Sequence, residues 1–130
     1  MKSKPYMSRD EVALIERHLR PSDRVLEWGA GGSTLYFPKL VLSYLSIEHN
    51  EKWFHRVKAK LPKNAKLILK PPNQRLPSLF KGRCTREMFL DYVEAPFQHR
   101  IKICSSCQRK YDRVLIDGRA RVACAMEARK

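Results

Sequence analysis

A cluster of glycines directly after a short β-prone segment is the feature of this sequence that most restricts its fold. The segment Arg24–Trp28 has three apolar residues in five, and Gly-Ala-Gly-Gly-Ser follows it over residues 29–33. Only five of the 130 residues are glycines, and three of them lie here. Glycines at the end of a strand permit tight turns and close approach of the backbone to other groups. The pattern predicts a strand, a turn, and then a helix from about Thr34 or Leu35.

Strand-like and helical segments alternate along the rest of the chain. A capping box at Ser8 and Glu11 begins the first helix, and Asn50 is a suitable cap for the third. Apolar spacing predicts strands over 24–28, 43–48, 65–69 and 111–118, and further helices over 9–19, near 85–93 and over 120–128. Such alternation with short turns favours parallel pairing through right-handed crossovers. We therefore expect an α/β fold with a doubly wound, mostly parallel sheet.

The positive charge of the chain is concentrated in its middle. Lysine and arginine number 27 against 13 acidic residues, and residues 52–110 hold 15 of the basic and 3 of the acidic side chains. A field this uneven attracts polyanions such as RNA, DNA or an anionic membrane surface. A solubilising lysine-rich face fits the same charge, because no aromatic-interleaved nucleic-acid motif accompanies it. Polyanion binding through residues 52–110 is therefore one expected partner class.

The four cysteines raise the question of metal binding. Cys104 and Cys107 form a single C-x-x-C pair, which Cys84, His99 or Cys124 would have to complete for tetrahedral zinc. No second pair at fixed spacing supports such a site. Cys124 lies among small apolar residues of a predicted helix, where a buried thiol is usual. We expect no metal site.

Signals for export or membrane insertion are lacking in the sequence. The N-terminal residues are basic but lead directly into charged residues without an apolar stretch. The apolar runs are also far shorter than the roughly 18 residues of a membrane span. We expect an intracellular, cytoplasmic protein with reduced thiols and no membrane span.

Two classes of ligand compete for the glycine-rich turn. A dinucleotide requires G-x-G-x-x-G, and Gly29 and Gly31 fit this pattern while Thr34 occupies the third glycine position. The carboxylate of Glu27, two residues before the first glycine, would repel a pyrophosphate. The same carboxylate suits a ligand that carries an ammonium and a sulfonium group.

Glu27–Ser33 resembles motif I of the class I S-adenosylmethionine-dependent methyltransferases, an acid-x-Gly-x-Gly-x-small pattern. Ser33 stands where many members of the family have another glycine. Glu48 lies 19 residues after Gly29, at the end of the second predicted strand, and resembles the second acid of the family. The fourth predicted strand, which ends at Asp117, resembles the motif at the floor of the methyl-transfer site.

The resemblance implies S-adenosylmethionine as the cofactor and small-molecule methyl donor. It implies that Glu27 and Gly29 contact the methionine end, that Gly31 allows close approach, and that Glu48 holds the ribose hydroxyls. The residues assigned to the donor are Glu27, Gly29, Gly31, Ser33 and Glu48.

Asp117 is the catalytic residue that the resemblance suggests near the reacting centre, and His49 is the other nearby base. Asp117 with Gly118 also fits a simple turn, and Glu48 alone fits a solvated acid at a strand end. The sequence does not identify the methyl acceptor. A non-catalytic basic module that binds nucleic acid or another polyanion is the alternative function.

Residues 1–130 are expected to form a single methyltransferase-like domain, with residues 73–110 as a basic, irregular insertion. Members of the family usually have seven strands, of which the first four lie in the order 3-2-1-4. Here the strands end after about four, so the sheet is expected to be truncated, with its fourth strand exposed as an apolar edge. A homodimer through this edge would cover it. An apolar face on the last helix, at Val122, Ala125 and Met126, would be exposed as well.

Overall fold

A computed structural model of the chain describes residues 3–72, 88–103, 111–119 and 121–129. The strands are β1 (Arg24–Trp28), β2 (Ser43–Glu48), β3 (Ala65–Leu69) and β4 (Arg113–Ile116). The helices are α1 (Arg9–His18), α2 (Gly32–Tyr36), α3 (Glu51–Lys58), α4 (Leu90–Ile103) and α5 (Arg121–Ala128), with a 3₁₀ turn over Phe37–Leu40.

The four strands form one parallel sheet in the order β3-β2-β1-β4. Leu26 in the middle of β1 pairs with Leu45 of β2 on one side and with Val114 of β4 on the other. The chain therefore moves outward from β1 to β3 and then returns to the opposite side of β1. The α/β fold class and the predicted strand order are confirmed. The point where the order reverses lies between β1 and β4, and open sheets of this kind bind ligands there.

Alternate residues of β1 face opposite sides of the sheet, as the two-residue period of a strand requires. Leu26 and Trp28 pack with Tyr92 and Cys124 beneath α4 and α5. Val25 packs on the other side with residues of α1 and the 3₁₀ turn. This second face also carries Glu27, so a carboxyl group is enclosed beneath α2.

The helix after the glycine-rich turn begins at Gly32, two to three residues earlier than the sequence predicts. Ser33 and Thr34 of its first turn are buried and bond to groups on the sheet. These bonds hold the first turn against β1 although glycine is a poor helix former. Pro38 lies in the first turn of the 3₁₀ segment, where a missing N–H costs little.

The helix that the sequence predicts near residues 85–93 is displaced toward the C-terminus. The observed α4 runs from Leu90 to Ile103, so part of the segment expected to be irregular is helical. Pro96 lies inside the helix, which hides its continuity from sequence patterns. Residues 73–87 and 104–110 lie outside the described part of the chain.

The bounds of β1, β2 and β3 match the predicted ones, whereas those of α1, α5 and β4 differ by one or two residues. β4 covers Arg113–Ile116 instead of 111–118, and hydrogen bonds to β1 from the N–H groups of Asp112 and Asp117 flank it. None of the helices within the described ranges combines the length and apolarity needed to cross a bilayer.

Candidate functional site

A cavity of about 650 Å³ lies at the carboxyl ends of β1, β2 and β4. The turns that follow these strands and the adjoining ends of α3 and α5 form its walls. The lining residues are Gly29, Ala30, Glu48, His49, Asn50, Lys52, Trp53, Arg56, Asp117, Gly118, Arg119 and Arg121. The cavity therefore lies beside the reversal of strand order, and three of the six predicted site residues line it: Gly29, Glu48 and Asp117.

Glu48 joins the end of β2 to the glycine-rich turn. Its carboxylate accepts hydrogen bonds from the backbone N–H groups of Ala30 at 2.9 Å, His49 at 2.9 Å and Asn50 at 2.8 Å. Burial alone would raise the pKa of Glu48, but the His49 imidazole and the backbone donors outweigh it and lower the pKa. Glu48 is thus an ionised carboxylate that fixes the turn. Within the described ranges Ala30 is the one donor to Oε2, so this oxygen retains capacity for one further donor.

Glu27 is fully buried and does not line the cavity. It accepts hydrogen bonds from the hydroxyls of Ser33, Thr34 at 2.6 Å and Ser46 at 2.8 Å. Burial raises the pKa of Glu27 to about 7, although the hydroxyl groups act in the opposite direction. Thr34 in turn accepts from the N–H of Gly31 at 2.9 Å. Glu27 and Ser33 therefore hold the glycine-rich turn in place from the buried side, beneath α2. Their direct contact with a methyl donor stays a prediction.

Gly29 and Gly31, the two glycines that the methyltransferase motif specifies, differ in conformation. Gly29 has φ of +99°, in the left-handed region, and a Cβ atom there would lie 2.7 Å from the backbone of Gly118. Gly31 has φ of 177°, an extended conformation that any residue adopts. A Cβ atom on Gly31 would make ordinary contact with Trp53 at 3.6 Å. Close backbone approach within the protein therefore occurs at Gly29, whereas approach of a ligand at Gly31 stays a prediction.

The two groups considered as bases both line the cavity. The side chain of Asp117 is 46% exposed and pairs with the Arg121 guanidinium at 3.3 Å. His49 is largely covered, with Nδ1 lying 3.1 Å from Oε1 of Glu48. Its ring packs edge-on against Phe89 and Tyr92. Asp117 is therefore the more accessible of the two.

Sequence reasoning missed the contribution of α3 to the cavity. Asn50 caps this helix as predicted, and its Oδ1 accepts from the N–H of Trp53 at 3.0 Å. The indole N–H of Trp53 donates to the carbonyl of Ala30 in the glycine-rich turn. Lys52 and Arg56 lie one turn apart on the same helix and also line the cavity. No sequence signal connected Trp53 to the turn.

Cys124, the cysteine within the described ranges, adds no ligand group to this site. Cys124 is fully buried in α5, its thiol faces the carbonyl of Arg119 at 3.7 Å, and burial raises its pKa to about 12. Cys84, Cys104, Cys107 and the His99 side chain lie outside the described part of the chain. Among the side chains that the structure does describe, no group of three or more metal-binding residues occurs.

Comparison with known proteins supports the fold. No protein-family model matches the chain, and the curated proteins include no significant match. The fold is similar to that in the crystal structure of a methyltransferase-like protein from Silicibacter pomeroyi, with a TM-score of 0.68. The two sequences are 22% identical, and the match covers 98% of this chain and 68% of that one. The chain thus has a Rossmann-like fold that it shares with a methyltransferase-like protein.

Proposed function

We propose that this protein binds S-adenosylmethionine in the cavity and transfers its methyl group to an acceptor. The observation that carries the proposal is that Gly29 and Glu48, which are 19 residues apart in sequence, both line this cavity. Asp117, the third element of the resemblance, lines the same cavity. The shared fold with a methyltransferase-like protein adds support.

The residues present fit such a donor. The cavity volume of about 650 Å³ lies within the range of small-molecule sites, roughly 300–1,000 Å³. Glu48 is ionised, and the free capacity of Oε2 suits a ribose hydroxyl as a hydrogen-bond donor. Gly29 presents bare backbone to the cavity, so a ligand can approach without meeting a side chain.

The donor, when bound, supplies a methyl group on a sulfonium sulfur: a lone pair of the acceptor forms a bond to that carbon, the C–S bond breaks, and its electron pair remains on sulfur. The residues of this chain would chiefly orient the two reactants. If the acceptor is a hydroxyl group, a proton must also leave its oxygen, and if it is an ammonium group, a proton must leave the nitrogen first to free the attacking lone pair. Asp117 is the accessible carboxylate for that proton, and His49 is the second candidate.

Calorimetric titration of the protein with S-adenosylhomocysteine tests donor binding directly. We expect saturable binding and a rise in melting temperature with ligand concentration, because a ligand of the folded state stabilises it. A radiolabelled-methyl assay with cell extract then tests transfer. A folded protein that shows neither binding nor a melting shift would overturn the proposal.

A non-catalytic module that binds a polyanion is the second candidate function. Residues 51–70 carry seven basic side chains and one acidic one. Six of the seven are exposed, on α3 and around β3: Lys52, Arg56, Lys58, Lys60, Lys63 and Lys66. This function predicts oligonucleotide binding that weakens steeply with salt and is independent of S-adenosylhomocysteine.

A further inference from the structure

Among the described residues that line the cavity, basic side chains outnumber acidic ones. Its lining includes four basic side chains, on Lys52, Arg56, Arg119 and Arg121, and two acidic ones, on Glu48 and Asp117. The carboxylate of Glu48 is occupied by three backbone N–H groups, and Asp117 pairs with Arg121.

Lys52 and Arg56 have no carboxylate partner within the described ranges. The Arg56 guanidinium lies 5.9 Å from the ring centre of Trp53, a contact that leaves its charge uncompensated. Because Trp53 also bonds to Ala30, this contact holds Arg56 beside the glycine-rich turn. Two exposed cations therefore lie side by side at the cavity mouth, and Trp53 holds one of them, Arg56, in place.

The proposed donor does not account for this pair of cations. S-adenosylmethionine carries a sulfonium, an ammonium and a carboxylate, so its net charge is positive, and like charges repel. Its single carboxylate carries one negative charge, so one of the two positive charges would remain uncompensated. An anionic group on the other reactant would satisfy both, and a phosphate suits a lysine and an arginine placed side by side.

We propose that Lys52 and Arg56 form a binding site for a phosphate group of the methyl acceptor. This inference rests on the proposed methyl transfer and adds the class of its substrate, a phosphate-bearing molecule. The exposed lysines that continue along α3 and β3 would extend the contact if the phosphate belongs to a nucleic acid strand. A small phosphorylated molecule would use the cavity mouth alone.

A charge-matched pair of variants tests the site. Lys52→Gln with Arg56→Gln removes both cations from the cavity mouth, and Lys58→Gln with Lys63→Gln removes the same charge from residues that do not line the cavity. Both pairs are exposed, so both variants should fold. Each protein is titrated at fixed ionic strength with S-adenosylhomocysteine, with tripolyphosphate and with a short single-stranded oligonucleotide.

We expect the cavity-mouth variant to bind tripolyphosphate about tenfold more weakly or worse, the usual scale for losing charged hydrogen bonds. Its affinity for S-adenosylhomocysteine should be unchanged, and the control variant should keep most of its tripolyphosphate affinity. Oligonucleotide binding that depends on the same two residues would identify the phosphate as part of a nucleic acid. Tripolyphosphate binding without oligonucleotide binding would identify a small phosphorylated acceptor.

Three outcomes would overturn the inference. Equal losses of tripolyphosphate affinity in the two variants would show a diffuse electrostatic field instead of a site. Absence of binding of either phosphate probe by the unaltered protein would exclude the site. A loss of S-adenosylhomocysteine affinity in the cavity-mouth variant would assign Lys52 and Arg56 to the donor carboxylate instead. Failure of the unaltered protein to bind S-adenosylhomocysteine is a separate result, because it refutes the proposed function whatever the phosphate probes show.

Discussion

The indole N–H of Trp28 donates a hydrogen bond to the backbone carbonyl of Tyr92, 64 residues later, at 3.0 Å. In an α-helix that carbonyl would accept from the residue four positions on, which is Pro96 and has no N–H. The side chain from the end of β1 therefore replaces a donor that α4 lacks. This bond ties the strand that leads into the glycine-rich turn to the helix that covers it.

The first prediction concerns this bond. Trp28→Phe removes the donor and some buried volume, so we expect the free energy of unfolding to fall by about 2–4 kcal/mol. Pro96→Ala restores a backbone N–H that can serve Tyr92, so Trp28→Phe should cost less in that background. Urea unfolding of the two single variants and the double variant measures the difference. Strictly additive losses would show that the two residues do not share the carbonyl.

The second prediction uses the buried carboxyl of Glu27. Its pKa rises from an ordinary 4.5 to about 7 on folding, so the folded state binds a proton more tightly than the unfolded chain. The free energy of unfolding should therefore fall as pH rises from about 4.5 to 7, by up to roughly 3 kcal/mol. Glu27→Gln should lack this loss and be the more stable protein at neutral pH.

Denaturant unfolding of both proteins across this pH range gives a difference curve in which the contributions of groups common to both proteins cancel. Glu48, whose pKa is lowered, acts in the opposite sense, and its stabilising effect is lost as the pH falls below its usual range. A difference curve that is flat between pH 4.5 and 7 would show that Glu27 titrates normally in the folded state.

The third prediction distinguishes two glycines of the turn. Gly29→Ala combines a left-handed φ with a Cβ contact of 2.7 Å to the backbone of Gly118, so we expect a loss of more than about 2 kcal/mol of stability. Gly31→Ala meets neither problem and should leave stability nearly unchanged. Thermal unfolding compares the two variants. Equal melting temperatures would contradict the backbone geometry of the turn.

A larger residue in place of Gly31 tests ligand binding without disturbing the fold. Gly31→Val should fold, yet lose affinity for S-adenosylhomocysteine if the donor approaches the backbone there. Calorimetric titration provides the measurement. Retained affinity in the valine variant would remove Gly31 from the donor-binding residues.

The fourth prediction concerns Glu48. Glu48→Ala should weaken S-adenosylhomocysteine binding by about 1.5–3 kcal/mol, the usual cost of removing a charged acceptor. Stability should fall as well, because three backbone N–H groups lose their acceptor. Glu51→Ala, at an exposed neighbour whose carboxylate lies 3.8 Å from Nε2 of His55, is the control and should change neither property. Unaltered affinity in a folded Glu48 variant would refute the ribose assignment.

The fifth prediction concerns the outer edge of β4, where a homodimer is expected from the sequence. Val114 on this strand is 40% exposed, and Val122 and Met126 of α5 are 76% and 63% exposed. We expect concentration-dependent self-association by sedimentation, and Val114→Lys should reduce it by placing charge on the edge. Leu42→Lys, at an exposed site away from β4, is the control. A monomer at all concentrations would refute the dimer.

Most element boundaries follow from local sequence patterns, whereas the strand order 3-2-1-4 is what the resemblance to the methyltransferase family implies. Ser8 and Glu11 form the predicted capping box, with Glu11 accepting at 2.7 Å from the N–H of Ser8. β2 and β3 have the predicted bounds because their apolar alternation is flanked by clear turn residues. The sequence predicts α4 too early because Pro96 reads as a helix breaker in sequence patterns. In the structure the indole N–H of Trp28 supplies the hydrogen bond that Pro96 cannot donate.

The sequence by itself determined the parallel α/β sheet, the glycine-rich turn and the presence of acids at the ends of its strands, because propensity, periodicity and spacing are local properties. Only the tertiary structure decided what each acid does. Glu27 lies one residue before the end of β1 and Glu48 is the last residue of β2, yet Glu27 lies beneath α2 among hydroxyl groups and Glu48 lines the cavity. Which face a side chain takes and which distant groups meet it depend on how the elements pack. Those contacts set the pKa and accessibility on which a role in binding depends.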